Sequence, residues 1–493
     1  MRRAWVATIV VAAWAGGVLA DEDSAPMGRI HFTISAETTR VVGPVRADGT
    51  VDYVEAINAV RLKDKSTPNA AAGLVRVLGK EAWAEPVRNK VFAKLGIEAM
   101  ADEVVFVPLK RWLPRQDTGE AGGGARKVEQ ANDWLVAGSE SPWKKESFPD
   151  LAAWLKSQDQ ALDAASAAVG TAGQCVFPAV SSNPAGTYAA ICTPPLADLM
   201  SLGQALVIRA MGRLEGQDYA GCWSDLRAAH RLARCVGQGN NMIERLAAYQ
   251  MEHIAYRGTA ELLRDEQMPA AGYKGMVADL QRMGPLPGLG ECLDRGERYL
   301  GLDSVMMAIR SGQGPVKDAA TAALSAVKWD DVLKDMNHLF DAAVTAADRP
   351  TREERVKAAA EFDALARALK PAEDTQMDLT VRLSGTLRSY VAPSVTMLLS
   401  HYEAIGAEDD LLLVGAALAA YRAEQGKYPE SPADVTPEYL KAIPTDRFSD
   451  GLLQYKTTAR GYVLYSVGPD GKDDEGRDLQ RGKGDIVLRV RGR

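Results

Sequence analysis

The sequence predicts a multidomain, mainly α fold, with an α/β N-terminal region, an all-α body of helical hairpins and a small α+β C-terminal domain with an antiparallel sheet. Three observations carry this prediction. The chain has 493 residues, which is more than one ordinary hydrophobic core serves. Ala-rich segments with helical periodicity occupy its middle. Three short runs rich in β-branched and aromatic residues lie near its end.

Residues 1–20 have the pattern of a secretory signal peptide. The charged pair Arg2-Arg3 precedes the apolar stretch Ala4–Leu19, and Ala20 supplies a small residue before a cleavage site at Asp21. An uncleaved membrane anchor is the alternative, but the apolar stretch is slightly short for a span. We therefore expect an extracytoplasmic protein, periplasmic or secreted, that begins at Asp21 and has no membrane span after cleavage.

The next region, residues 21–149, mixes two kinds of pattern. The alternating run GRIHFTISAETTRVVGPV and the apolar run DEVVFVPL predict strands, whereas DYVEAINAVR and NAAAGLVRVLG predict helices. The glycine-rich segment 115–130 predicts a flexible loop. These patterns together predict an α/β region.

Residues 150–401 form the predicted helical body. Its clearest feature is an antiparallel hairpin of two helices around Tyr219–Val236 and Met242–Arg264, which have matching apolar stripes. His230 and His253 lie on these stripes, with Asp225 and Glu252 nearby in sequence. A zinc site is one interpretation of the two histidines, and core histidines satisfied by hydrogen bonds are the commoner alternative.

Five cysteines acquire a structural role if the protein is exported, because disulfides persist outside the cytoplasm. Cys222 and Cys235 fall on one predicted helix, where thirteen residues hold them about 20 Å apart. They cannot bridge each other. We expect Cys175 to pair with Cys192 across a Pro/Ser/Asn-rich loop, which leaves an odd thiol among the rest. The alternative is that all five, including Cys292, are small buried hydrophobic residues.

The C-terminal domain is predicted to span residues 402–493. The segment AEDDLLLVGAALAAYRAEQGKYP predicts a helix with Glu408, Asp409 and Asp410 in its first turn and Gly426 as its left-handed cap. The runs LLQYKTT, GYVLYSVG and DIVLRVRG predict three strands. One helix packed on a small antiparallel sheet is the simplest arrangement of these elements.

Acidic residues are concentrated between the second and third of these strands. Asp470, Asp473, Asp474, Glu475, Asp478 and Asp485 lie within sixteen positions, where like charges repel unless water or a cation screens them. The pattern is not an EF-hand, because Glu475 occupies the position of its required glycine. Two interpretations remain open on composition, a solvated acidic turn and a calcium-binding loop.

The order of these motifs resembles the C-terminal part of the major pseudopilin of type II secretion systems. The matching segments are LAAYRAEQGKYPES, IPTDRFSDGLLQYKTT and GYVLYSVGPDGKDDEG followed by GDI, over roughly 90 residues. The resemblance implies a calcium site. Its ligands would be the carbonyl of Val467, the carboxylate of Asp470, one of Asp474 and Asp478, and Asp485.

The chain also departs from that family. Arg447 stands where pseudopilins usually have proline or another turn residue, and the chain begins with an ordinary signal pattern, not with a pseudopilin processing site and polymerising helix. A role as a pilus subunit is therefore not expected. The whole chain is similar to a recurrent kind of large secreted planctomycete protein, which implies a compartment and an architecture but no activity.

Composition and motifs exclude several functions. The net charge is −7 and no long basic block is present, which argues against nucleic acid as a partner. The Gly-x-Ser-x-Gly, HExxH and complete GxGxxG motifs are absent. We expect an extracytoplasmic, non-enzymatic binding or structural protein with protein or envelope components as partners. The alternative is a secreted hydrolase with a site between the N-terminal region and the helical body.

Overall fold

The computed structural model describes residues 31–491 except 65, 99–103, 114–122, 172, 184–185, 192, 312–323, 370–377, 450 and 481. The predicted signal peptide and the start at Asp21 lie outside the described residues. The fold is mainly α with a small antiparallel sheet near the C-terminal end, which confirms the predicted fold class.

Helices account for most of the described chain. The first ten are α1 Tyr53–Arg61, α2 Ala70–Leu78, α3 Glu85–Leu95, α4 Leu109–Trp112, α5 Gly123–Glu140, α6 Pro149–Thr171, α7 Leu196–Glu215, α8 Tyr219–Gly237, α9 Met242–Asp265 and α10 Ala270–Met283. A short helix α11, Leu289–Glu291, leads into a π-helical turn, Cys292–Glu297. The remaining helices are α12 Arg298–Ser311, α13 Trp329–Ala347, α14 Arg352–Ala368, α15 Leu379–Val391 and α16 Val395–Gln425.

The N-terminal region contains the predicted helices, but its described residues form only isolated bridges, Val45 to Val51 and Asn69 to Gln174, in place of the predicted strands. The N–H groups of the extended backbone here donate hydrogen bonds to groups other than a neighbouring strand. Phe106 donates its N–H to the last turn of α2, and Val107 donates to the Gln158 side chain. The predicted loop is also wrong for residues 123–130, which begin α5, because the residues after the glycines are good helix formers.

Apolar side chains form two large cores. The first contains residues of α2 to α10, the C-terminal half of α16 and the sheet. The second contains α1, the π-helical turn, α12 to α15 and the first residues of α16. The N-terminal region therefore contributes to both cores, and α16 passes from one core into the other. The predicted boundary between residues 401 and 402 falls inside α16.

The predicted hairpin of α8 and α9 is confirmed. Asp218 caps the start of α8 by accepting the N–H of Gly221, and Asn241 caps α9 in the same way. Trp223, Leu226, Ala233 and other residues of the predicted stripe are buried. The hairpin packs between α7 and α16, so its two apolar faces are both covered.

The structure contradicts the predicted disulfide. Cys175 bonds to Cys235 at the end of α8, with a Cα–Cα distance of 5.1 Å, and Cys192 lies outside the described residues. The sequence places the two partners 60 residues apart, and only the packing of α6 against α8 brings them together. Cys222 and Cys292 are free and buried.

The three predicted strands are confirmed as β1 Gln454–Thr458, β2 Gly461–Ser466 and β3 Ile486–Arg491, in the order β1-β2-β3. In the antiparallel register Leu464 lies opposite Leu488, and both are fully buried. This face packs on α9 and α16. Arg264 of α9 donates to the carbonyl of Arg489, which ties the edge strand to the helical body.

The disulfide is predicted to stabilise the fold. A cross-link that closes a loop of 60 residues lowers the entropy of the unfolded chain, which corresponds to about 4 kcal/mol. The double variant Cys175→Ser/Cys235→Ser should therefore melt lower than the wild type in differential scanning calorimetry. A reductant should lower the melting temperature of the wild type and leave that of the double variant unchanged. A peptide map that joins Cys175 to Cys192 would contradict the assignment.

Candidate functional site

A cleft lies between the N-terminal region and the helical body, at the position that the hydrolase alternative predicts. Its volume is about 330 Å³. One wall is α1, and the others are the turn between α8 and α9, the start of α9, and the π-helical turn. The polar lining side chains are Arg61, Gln174, Gln238, Asn240, Arg245, Glu291, Cys292 and Arg295.

Close backbone packing shapes one side of this cleft. A Cβ added to Gly296, in the π-helical turn, would lie 2.0 Å from the carbonyl oxygen of Asn240. The turn between α8 and α9 therefore passes against the π-helical turn at a position where only glycine fits. Single π-helical turns are frequent at functional sites because they rotate side chains out of helical register. Here the turn presents Cys292 and Arg295 to the cleft.

Three guanidinium groups line the cleft. Arg61 of α1 donates to the side-chain oxygen of Asn240 and to the carbonyl of Gln238. Arg245 of α9 is 3% exposed, and it donates to the carbonyl of Pro287 at 2.6 Å. Arg295 is more exposed and pairs with Glu291 at 2.7 Å. Two of the three cations therefore bond to neutral oxygens.

Two carboxylates near the cleft accept hydrogen bonds from backbone N–H groups. Glu244 accepts the N–H of Asn240 and is 1% exposed, and burial raises its pKa to about 7 despite the nearby Arg61. Glu297 accepts the N–H of Met242 at 2.8 Å, and burial raises its pKa. Both side chains stabilise the turn at the start of α9. The charge of Glu244 acts on Arg61 and Arg245, but the contact of Arg295 with Glu291 is the direct ion pair of a cleft arginine among the described residues.

Burial also controls the chemistry of the thiol. Cys292 is 5% exposed, and burial raises its pKa to about 12 although Arg245 lies beside it. At neutral pH the group is a protonated thiol, and the thiolate is the nucleophilic form. Cys292 is therefore part of the lining and not an activated nucleophile.

A second polar cluster lies between α8, α9 and α16. His230, Glu252 and Asp409 place their side-chain ligand atoms within 4.8 Å of one another, and among the described residues this is the group with metal-ligand potential. Arg234 occupies the cluster, however, with its guanidinium on Glu252 and, at 2.9 Å, on Asp409. His230 bonds to Glu252 and, at 3.0 Å, to Thr259. Both ring nitrogens and both carboxylates already have protein partners.

The two candidate histidines are not brought into one cluster. His230 is 1% exposed, and burial and then the Arg234 charge hold its pKa well below the usual value. His253 is half-exposed and contacts Glu408 at 2.6 Å, and this carboxylate raises its pKa above the usual value. Asp225 pairs with Arg209 at 2.7 Å. This arrangement favours hydrogen-bonded histidines over a shared zinc ion.

The predicted carboxylates are distributed around the turn after β2. Asp485 is fully buried and accepts the N–H groups of Asp474 and Gly476. Asp478 pairs with Arg489, and Asp470 accepts the N–H of Lys472 at 3.2 Å. The carboxylates therefore stabilise the turn by accepting hydrogen bonds from its own N–H groups and by pairing with Arg489. Within the described residues, the four predicted aspartates do not form a group of three with ligand atoms inside 4.8 Å.

The backbone of this turn depends on a glycine. Gly468 has a φ of 73°, and a Cβ added there would lie 2.3 Å from the carbonyl oxygen of Gly484. The chain can reverse after β2 only with glycine at this position. Val467, the predicted carbonyl ligand, is held just before the turn because its N–H donates to Asp446 at 3.0 Å.

Sequence reasoning missed two kinds of site residue. Asp446 is fully buried and accepts from four donors, which are the N–H groups of Phe448 and Val467 and the hydroxyls of Ser449 and Ser466. An Asp followed by Ser three positions later is the signal of such a turn. The cleft residues Arg61 and Arg245 belong to no motif, so no sequence signal identifies them.

Comparison with protein-family models, curated proteins and solved structures gives no match to this chain. Within the described ranges, no helix combines the length and the apolar character needed to cross a membrane.

The two histidines are predicted to give opposite pH dependences. The pKa of His253 is raised in the folded state, so its stabilising contribution is present below about pH 6.5 and is lost as the pH rises through the folded pKa. The pKa of His230 is lowered, so its contribution is present above about pH 6.5 and is lost as the pH falls.

Urea unfolding of His253→Gln and His230→Gln between about pH 5 and 8 tests this. Relative to the wild type, His253→Gln should lose most stability at the acidic end. His230→Gln should lose stability more gradually than the wild type on acidification. Parallel curves for the wild type and both variants would show that neither ring has a shifted pKa.

Proposed function

We propose that this protein is an extracytoplasmic, non-enzymatic binding protein with a pseudopilin-like C-terminal module. The observation that carries the proposal is the chemistry of the cleft. Its described lining offers guanidinium and amide donors, an ion-paired Glu291 and the protonated thiol of Cys292. Hydrolysis needs a nucleophile or a water activated by a positioned base, and binding needs only donors and shape.

Export from the cytoplasm is supported by the disulfide. Cys175 and Cys235 are bonded, and structural disulfides persist in oxidising compartments. The pseudopilin-like character of the module is supported by the order of its elements. The long helix α16 ends at Gly426 in a left-handed cap and is followed by three antiparallel strands. The departure at Arg447 also has a local role, because this residue pairs with Asp410 of α16 at 2.6 Å.

The partners that this proposal implies are protein or envelope components. The module does not stand apart from the body, since its sheet packs on α9 and α16. A partner that engages the module would therefore act on a rigid unit. Calcium is proposed as its stabilising ion, with the Val467 carbonyl and Asp470, Asp474, Asp478 and Asp485 as the candidate ligands.

The hydrolase alternative makes a different prediction for the cleft. If the proposed binding function holds, the purified protein should hydrolyse p-nitrophenyl acetate and p-nitrophenyl phosphate no faster than its Cys292→Ala and Glu291→Gln variants. The reason is that neither side chain is activated as a nucleophile or base. Absorbance at a fixed protein concentration measures the rates. Turnover that is lost in either variant, while the variant stays folded by circular dichroism, would establish the hydrolase.

Calcium should raise the melting temperature of the full chain if the turn binds it. An ion that binds only the folded state stabilises by about 2.7 kcal/mol at a hundredfold excess over its dissociation constant. Asp470→Ala should abolish the difference between calcium and chelator in scanning calorimetry. Glu475→Gln is the matched control, because Glu475 lies in the same turn but is not a candidate ligand. Coincident wild-type melting curves with calcium and chelator would show that the segment is a solvated acidic turn and does not bind calcium.

A further inference from the structure

We propose that the cleft is a site for a small organic oxyanion, a carboxylate or a phosphate, which Arg245 anchors together with Arg61 and Arg295. This inference rests on the proposed binding function and adds the chemical class of the ligand. It is independent of the calcium turn, because the two sites share no residue.

Arg245 is the exception among the buried arginines. Arg209, Arg234 and Arg298 are also almost fully buried, and each has a carboxylate within 2.9 Å. Arg245 has no carboxylate within 4 Å among the described residues, and its Nε has no hydrogen-bond partner there. The charge of Glu244 acts on Arg245 only from beyond contact distance, and a buried charge without a directly bonded counterion is costly. The missing direct contact is the first indication of an anionic ligand.

Arg61 repeats this arrangement on the opposite wall. Its guanidinium bonds to neutral oxygens of Asn240 and Gln238, and burial lowers its pKa. The nearest carboxylates do not complete the pairing. The charge of Glu244 acts on Arg61, but the hydrogen bonds of Glu244 are to Asn240 and Asn241, and that of Glu297 is to the N–H of Met242. The two walls therefore present two desolvated cations to one volume.

The remaining features of the cleft fit a small ligand. A volume of about 330 Å³ falls at the lower end of small-molecule sites. Guanidinium groups hold carboxylate and phosphate oxygens in a bidentate fork, and the hydrogen bonds strengthen where water is excluded. Arg295 is 39% exposed at its side chain and pairs with Glu291, so it stands near solvent and adds positive charge beside the entrance.

Isothermal titration calorimetry with defined probes tests the inference. The wild-type protein should bind succinate or inorganic phosphate and should not bind succinamide, which matches succinate in shape but carries no charge. The comparison of succinate with phosphate identifies which oxyanion the cleft prefers. Arg245→Gln should weaken binding by about tenfold or more, because a charge-assisted hydrogen bond is lost. Arg257→Gln, an exposed arginine elsewhere on α9, should bind as the wild type does.

A second measurement keeps the test valid if Arg245→Gln does not fold. Arg61→Gln changes the opposite wall and should also weaken binding. In the wild type, the bound anion should slow alkylation of Cys292, which lines the cleft, and leave Cys222 unaffected. Cys222 is equally buried and lies outside the lining, so it controls for general stabilisation.

Three outcomes would overturn the oxyanion site. They are a wild type that binds neither succinate nor phosphate, equal affinity for succinamide and succinate, and Arg245→Gln and Arg61→Gln variants that bind as tightly as the wild type. Binding of the neutral probe would leave the proposed binding function standing. Turnover of the reporter esters that is lost in Cys292→Ala or Glu291→Gln would remove that function whatever the charge preference, so the two failures are distinguishable.

Discussion

A row of carboxylates on α16 is the constraint on which the rest of the structure depends. The helix runs from one hydrophobic core into the other, and four of its acidic residues lie where the cores meet. Each pairs with a base from a different part of the chain. The pairs are Glu403 with Arg352 and Arg355, Glu408 with His253, Asp409 with Arg234, and Asp410 with Arg447. These directional pairs add to the close apolar packing that positions the elements on α16.

The pairing also explains why the C-terminal sheet and the helical body behave as one unit. Removing one partner from a buried ion pair leaves an uncompensated charge and costs about 3 to 5 kcal/mol. Arg234 joins Asp409 of α16 to Glu252 of α9, and Arg447 joins the turn before β1 to α16. Separation of the sheet from the body would break the Arg447–Asp410 pair and expose the shared first core. The acidic turn after β2 is therefore attached to a rigid support.

The cleft stands out against this background of completed pairs. The buried Arg209, Arg234 and Arg298 each contact a carboxylate, whereas Arg61 and Arg245 line a shared volume and, among the described residues, hydrogen-bond to neutral oxygens. Stability alone does not favour such an arrangement, because unpaired buried charge is unfavourable. In an anion-binding site the charge is unfavourable in the free protein, and the bound anion neutralises it. A π-helical turn, which is frequent at functional sites, lies on the same wall of the cleft.

By itself the sequence determined the features that depend on neighbours along the chain. The α8–α9 hairpin, the Gly426 cap and the three closing strands follow from periodicity and from local backbone preference. Tertiary structure decided what depends on distant neighbours. Glu408 to Asp410 were expected in the first turn of a helix, but α16 begins at Val395 and their positions are internal. The Cys175–Cys235 bond and the cleft arginines likewise need helices that are far apart in sequence, and no local pattern records which charge will lack a partner.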